Sequence, residues 1–240
     1  MQAADWPKHV IAEGFMCQSA IAADFTGDSL PDVIVDGGGK TILLVAPDWR
    51  QVVLESTHDT IHSEAMDVDG DGDMDYIGAV YSPGPVFWLE QPEKGAEQPW
   101  TKRIVDDEVN GTHGLIQGDI DGDGRLDLVG NSAQPKDDYP NSIVWWSIPQ
   151  DPKSAAEWER HVFADRDAPG LSHYMGIGDI DGDGVVDIAA AGKDLKDDDP
   201  IKMLKQQIVN EIEAAKAMAE MEAQMNADQY ALLAELDAQL

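Results

Sequence analysis

The sequence predicts a mainly β protein: a β-propeller of about four blades, closed by an N-terminal strand and followed by a C-terminal α-helical segment. Three observations predict it. An acidic nine-residue pattern occurs four times, a tryptophan pattern interleaves with it in phase, and the stretches between them read as short strands.

The acidic segments are DFTGDSLPD at 24–32, DVDGDGDMD at 67–75, DIDGDGRLD at 119–127 and DIDGDGVVD at 179–187, with first aspartates 43, 52 and 60 residues apart. The second marker, Trp-x-x-x-Val/Ile, runs from Trp6 to Val10, Trp49 to Val53, Trp100 to Ile104 and Trp158 to Val162. Its steps are 43, 51 and 58 residues. Two independent markers sharing one growing period indicate a repeat, and a unit of this size carrying four strands is a propeller blade.

Within a unit the elements follow in a fixed order. One segment leads into the acidic loop. After the loop comes a run of small and β-branched residues: DVIVDGG, DYIGAVY, DLVGNSA and DIAAAGK. An apolar strand follows in the first three units, as TILLVAP, PVFWLEQ and SIVWWSI, and then a fourth run, as RQVVLE, TKRIVD and ERHVFA. Short β-branched and aromatic runs bounded by Gly, Pro and Asp are strand signals. The fourth unit lacks its aromatic strand. The chain also opens with an orphan run, WPKHVIA at 6–12, which is expected to complete the fourth blade and close the ring, because closure removes an open edge. The rival reading is a fragment of a larger ring.

The expected domains are therefore propeller repeats over 1–193, an acidic linker over 194–200 and an α-helix or helical hairpin over 201–240. Ile201, Leu204, Ile208, Ile212, Ala215 and Ala219 recur at helical spacing, and Pro200 stands just ahead of the first turn. That helix is expected to serve oligomerisation or docking, giving a homo-oligomer, or to have no special function.

Composition narrows the function classes. Sixteen Lys+Arg stand against 47 Asp+Glu in 240 residues, a formal net charge of −31. Such a surface repels phosphate backbones and anionic headgroups, so nucleic acid and membrane are poor partners. Cys17 is the single cysteine, which excludes an intrachain disulfide and a cysteine-based zinc site. No run of 18 apolar residues exists to span a bilayer. Residues 1–15 lack the pattern of a secretion signal; a mature form with its signal removed would look like this, and so would a cytosolic protein.

The acidic loops point to a hard cation. In DxDGDGxxD the carboxylates alternate, so the side chains of a curled loop converge, a backbone carbonyl at position 7 adds an oxygen, and the last Asp closes the shell. Calcium takes six to eight such oxygens. The carboxylates would repel one another without it. The expected ligands are Asp67, Asp69, Asp71, Asp73 and Asp75; Asp119, Asp121, Asp123, Arg125 and Asp127; and Asp179, Asp181, Asp183, Val185 and Asp187. The first unit departs from the pattern, with Asp24, Thr26, Asp28, Leu30 and Asp32 and one fewer charge, so its affinity is expected to be lower. An EF-hand is excluded, because position 12 is Gly78, Gly130 or Ala190 and the flanks read as strands.

The loops at 67–75, 119–127 and 179–187, each left by a D-[LIY]-[VAI] strand, resemble the FG-GAP/VCBS repeats of integrin alpha-chain propellers and of many secreted bacterial proteins. The resemblance covers residues 6–193 and implies a β-propeller with one calcium per blade. It names no single activity, since function lives in sites grafted onto folds.

Beyond calcium, His62, His113 and His173 recur five or six residues ahead of the acidic loops, with Gln18 at the matching position of the first unit. They form a possible ligand site at one channel mouth, or are turn histidines satisfied locally. The recurring tryptophans are expected in the core, with sugar stacking the alternative. No G-x-S-x-G, P-loop or H-E-x-x-H motif occurs. The function expected is a calcium-binding module outside the cytoplasm (secreted, periplasmic or at the cell surface, its signal peptide removed) with a protein or polysaccharide ligand. The alternatives are a polysaccharide lyase-like enzyme domain using the histidines, and a scaffold presenting the C-terminal helix.

Overall fold

The computed structural model describes residues 8–14, 16–82, 84–134, 138–166 and 171–192, except the side chains of 171–173, 191 and 192. The chain divides into two units, Met1–Asp194 and Leu195–Leu240, and every described residue lies in the first. The expected linker over 194–200 and helix over 201–240 lie outside the described residues.

Fourteen strands make up the described part. The first sheet holds β1 (Ser19–Ala23), β2 (Asp32–Asp36), β3 (Thr41–Val45) and β4 (Arg50–Glu55). The second holds β5 (Thr60–Met66), β6 (Asp75–Val80), β7 (Val86–Glu90) and β8 (Thr101–Asp106). The third holds β9 (Thr112–Gly118), β10 (Asp127–Ser132), β11 (Ile143–Ser147) and β12 (Glu159–Ala164). The fourth holds β13 (Leu171–Gly178) and β14 (Asp187–Gly192). Strands pair antiparallel in simple sequence order within each sheet. The repeat extends to detail. The pairing of the third strand with the fourth slips at its start in all three complete sheets, between Thr41/Ile42, Val86/Phe87 and Ile143/Val144. The protein is mainly β, built from four-stranded antiparallel sheets.

Burial follows strand position. The middle strands TILLV, DYIGAV and DLVGNS are buried at every residue, whereas the outer strand RQVVLE has no buried residue. Strand geometry sends alternate side chains to opposite faces, and both faces of the middle strands are apolar. On the second sheet, Tyr76, Phe87 and Leu89 meet Phe25, Ile34, Leu43 and Val45 of the first sheet. Their neighbours Ile77, Val86 and Trp88 face the other way, against Leu115, Leu128, Val144 and Trp146 of the third. Val129 and Ile143 then pack on Ile188 of the fourth. Sheets are thus stacked face to face, and the first strands follow one another in space, β1 on β5, β5 on β9, β9 on β13. Gly78 and Gly130 hold matching places in β6 and β10 for a steric reason. A Cβ at either would stand 2.7 Å from the ring of Phe87 or Trp146.

The recurring tryptophans are core residues where they are described: Trp100 and Trp158 are buried and Trp49 is half-buried. Trp6 lies outside the described residues. One expectation fails. Of the run 6–12, residues 8–12 form no strand, and Ile11 and Ala12 lie on the apolar face made by Val35, Ile42 and Leu44 of β2 and β3. A β-branched segment becomes a strand only beside a free edge that accepts its hydrogen bonds; here apolar contact with a sheet face has prevailed. Among the described residues this segment closes no ring.

Candidate metal centre

Each acidic loop joins the first strand of a sheet to the second, so β1–β2, β5–β6, β9–β10 and β13–β14 are loop-linked hairpins. Strands flank all four loops, as the EF-hand exclusion required. The curl depends on left-handed backbone. At position 6, Gly72, Gly124 and Gly184 have φ of 95°, 87° and 89°, while the first loop places Ser29 there at φ 69°, an unfavourable conformation for a residue with a Cβ.

The aspartate at position 1 organises the turn. Asp67 Oδ1 accepts from the amides of Gly70 at 2.8 Å and Asp71 at 3.1 Å, and its Oδ2 accepts from Gly72 at 3.0 Å. Asp179 repeats all three contacts with Gly182, Asp183 and Gly184. The aspartate at position 9 opens the second strand and pins the loop to the sheet. Asp32 accepts from Phe25, Thr26 and, across the sheet, Ala46. Asp75 accepts from Val68 and Gln91, Asp127 from Ile120, and Asp187 from Ile180. Asp32, Asp75 and Asp127 are buried. Burial pushes the Asp75 carboxyl up to about 7, with the Asp69 charge adding to the effect, and burial raises Asp127 too. Such carboxyls ionise readily only beside a compensating positive charge.

In three loops the carboxylates converge. One oxygen from each of Asp67, Asp69 and Asp71 lies within 4.8 Å of the others; so do oxygens of Asp119, Asp121 and Asp127, and of Asp179, Asp181 and Asp187. Asp119 Oδ1 is buried without a hydrogen-bond partner among the described residues, which fits a cation in place of a donor. Three hard oxygens on a small loop are a donor set that can hold a metal ion. Asp75, Asp123 and Asp183 stand outside these groups. Asp73, Arg125, Val185 and Leu30 enter the expected sets through their carbonyls, and the Arg125 side chain folds back on Asp123 at 3.0 Å. The first loop gathers no such group among the described residues, and the Asp24 carboxylate accepts from Asp28 and Ser29.

The histidines take up positions between sheets. His62 Nδ1 accepts from the Leu115 amide at 3.1 Å, linking β5 to β9. His113 packs edge-on against Tyr81, ring centroids 5.0 Å apart. Gln18 precedes β1, its amide bonded to the Asp36 carbonyl, and the His173 side chain lies outside the described residues. What sequence reasoning missed is a basic group at the second loop. Lys153, from the third sheet, places its ammonium 2.6 Å from Asp69 and 3.2 Å from Glu90. No local motif marks it.

Fold and loops together define a class: a repeat protein of four-stranded antiparallel sheets, each hairpinned through an acidic turn. Residues 67–130 match the family model described as FG-GAP-like repeat, which spans the second acidic loop through the third. The chain thus carries a repeat of the FG-GAP/VCBS kind. No curated protein matches it. Among the described residues no helix is long and apolar enough to cross a membrane.

Proposed function

We propose that this chain is a calcium-binding module of the β-propeller type that works outside the cytoplasm and presents a sheet-built surface to a protein or polysaccharide ligand. The observation that carries the calcium reading is the convergence of three carboxylate oxygens within 4.8 Å in each of three successive loops. Calcium suits them because it accepts many hard oxygens in irregular geometry, where magnesium demands a near-ideal octahedron. The first loop, with Thr26 and Ser29 in place of Asp and Gly, is the weakest site. Support for the propeller comes from the serial contact of the first strands and the apolar packing between successive sheets. The hydrogen bond into His62 from the neighbouring sheet favours a binding module over an enzyme built on the histidines.

The test is thermal melting of the full chain in calcium and after exhaustive chelation. A site that binds only the folded state at a calcium concentration about 100-fold above its Kd adds about 2.7 kcal/mol. For a chain of this size that is a Tm shift of about 5–10 °C per site. A melt unchanged by chelation overturns the calcium reading.

A further inference from the structure

In the second acidic loop the place of the cation is contested by the protein itself. The Lys153 ammonium lies 2.6 Å from Asp69 Oδ2, 3.7 Å from Asp71 Oδ2 and 3.2 Å from Glu90 Oε1. Asp69 and Asp71 are two of the three carboxylates gathered there, and the Asp69 side chain is only 4% exposed. Lys153 comes from the connection between β11 and β12, so it reaches in from the next sheet.

It is held in place. Arg103 Nη1 donates to the Lys153 carbonyl at 2.5 Å, and Arg103 Nη2 pairs with Glu90 at 2.5 Å. At the end of the same connection, the Trp158 amide donates to the Val105 carbonyl at 3.1 Å. The other two groups differ. Among the described residues, no lysine or arginine is ion-paired with Asp119, Asp121, Asp127, Asp179, Asp181 or Asp187.

Resting on the calcium reading, we infer that Lys153 is a tethered competitor for the cation of the second loop, so that calcium must displace its ammonium to bind there. An ammonium 2.6 Å from Asp69 Oδ2 takes up the charge of this carboxylate and crowds the space that an ion coordinated by it needs. A lysine is suited to the exchange: it is a compact charge on a flexible stem, and it can swing out to water and to Glu90 without disturbing the sheet. The inference reverses the ranking that charge alone suggests. The second loop has five aspartates, more than any other, yet it should fill last among the three convergent loops. When it fills, one tie between the second and third sheets is released.

The test is a titration of the ¹⁵N-labelled full chain with calcium chloride, followed at the amides of the loop glycines. Gly70 and Gly72 report the second loop, Gly122 and Gly124 the third, Gly182 and Gly184 the fourth. In the wild-type chain Gly70 and Gly72 should shift at higher calcium than the other four. In Lys153→Met their midpoint should fall by about tenfold, as expected when a charge-assisted contact to the site is removed, while the others stay where they were. Lys153→Gln provides the same reading should the methionine variant fold poorly. A Gly70 and Gly72 midpoint unmoved in both variants, with the other glycines titrating normally, overturns the inference. Glycines that do not shift in any of the chains overturn the calcium reading and this inference with it.

Discussion

Asp36 closes β2 fully buried between the first and second sheets, and it offers a sharp test of how the sheets are joined. Its carboxylate accepts from Thr41 Oγ1 at 2.7 Å and from the buried hydroxyl of Tyr76, on the second sheet, at 2.8 Å. Burial nevertheless prevails, and the carboxyl is pushed up to about 6. The unfolded chain releases the same proton near 3.8. Between those values the folded state binds more protons than the unfolded state, so this group makes stability fall as pH rises through the window, and the loss is nearly complete by about pH 7. From about pH 4.5 to about pH 7.5, integrating the linkage for this pair of values gives a loss of about 2 kcal/mol. Asp36→Asn removes the titration and keeps an oxygen that can accept from Tyr76. Urea unfolding of both chains across this range, in the absence of calcium, isolates the group, since every other carboxyl cancels in the difference. The stability of the wild-type chain relative to Asp36→Asn should fall by that amount with rising pH. A difference that stays constant from acid to alkali would refute the assignment of a buried, proton-retaining carboxyl.

Two further outcomes are expected. Gly130→Ala places a Cβ 2.7 Å from the ring of Trp146, which is fully buried and has nowhere to move, so it should destabilise the chain by about 1–3 kcal/mol in urea; an unchanged midpoint would mean that the sheet yields there. Asp121→Ala deletes a carboxylate from the gathered group of the third loop and should remove a calcium equivalent in calorimetric titration, whereas Thr26→Ala, in the loop that gathers no such group, should change the isotherm little.

Much of this was legible in the sequence, and the reason is geometric. Alternate aspartates separated by glycine have few uses other than a tight turn with converging carboxylates, so the four loops and the strands on either side of them could be placed from the pattern alone. The strand order followed, because hairpins of this length leave no other pairing. The duties of the position 9 aspartates were only half legible. Their oxygens accept backbone amides from inside the loop and, for Asp32 and Asp75, from across the sheet, and those donors carry no side-chain signature. Contacts between sheets were not legible at all. Tyr76 on Asp36, Trp146 on Asp106 and Lys153 on Asp69 join residues 40 or more positions apart, and each is fixed by how one sheet lies on the next. The segment at 8–12 shows the opposite limit: despite its β-branched residues it forms no strand and lays Ile11 and Ala12 on a sheet face.

The two-faced middle strands have a consequence for how the molecule comes apart. The second sheet shares one apolar layer with the sheet before it and another with the sheet after it, so no sheet owns a complete core. Stability in such an array is a chain of nearest-neighbour terms, and among the described residues the fourth sheet shares an apolar layer with the third alone. Amides of β6 and β7 should exchange with solvent only when the whole array opens, and those of β14 much sooner. A lesion at Trp88 weakens one layer in the middle and so divides the array. A lesion at Ile188 weakens only the layer between the third and fourth sheets.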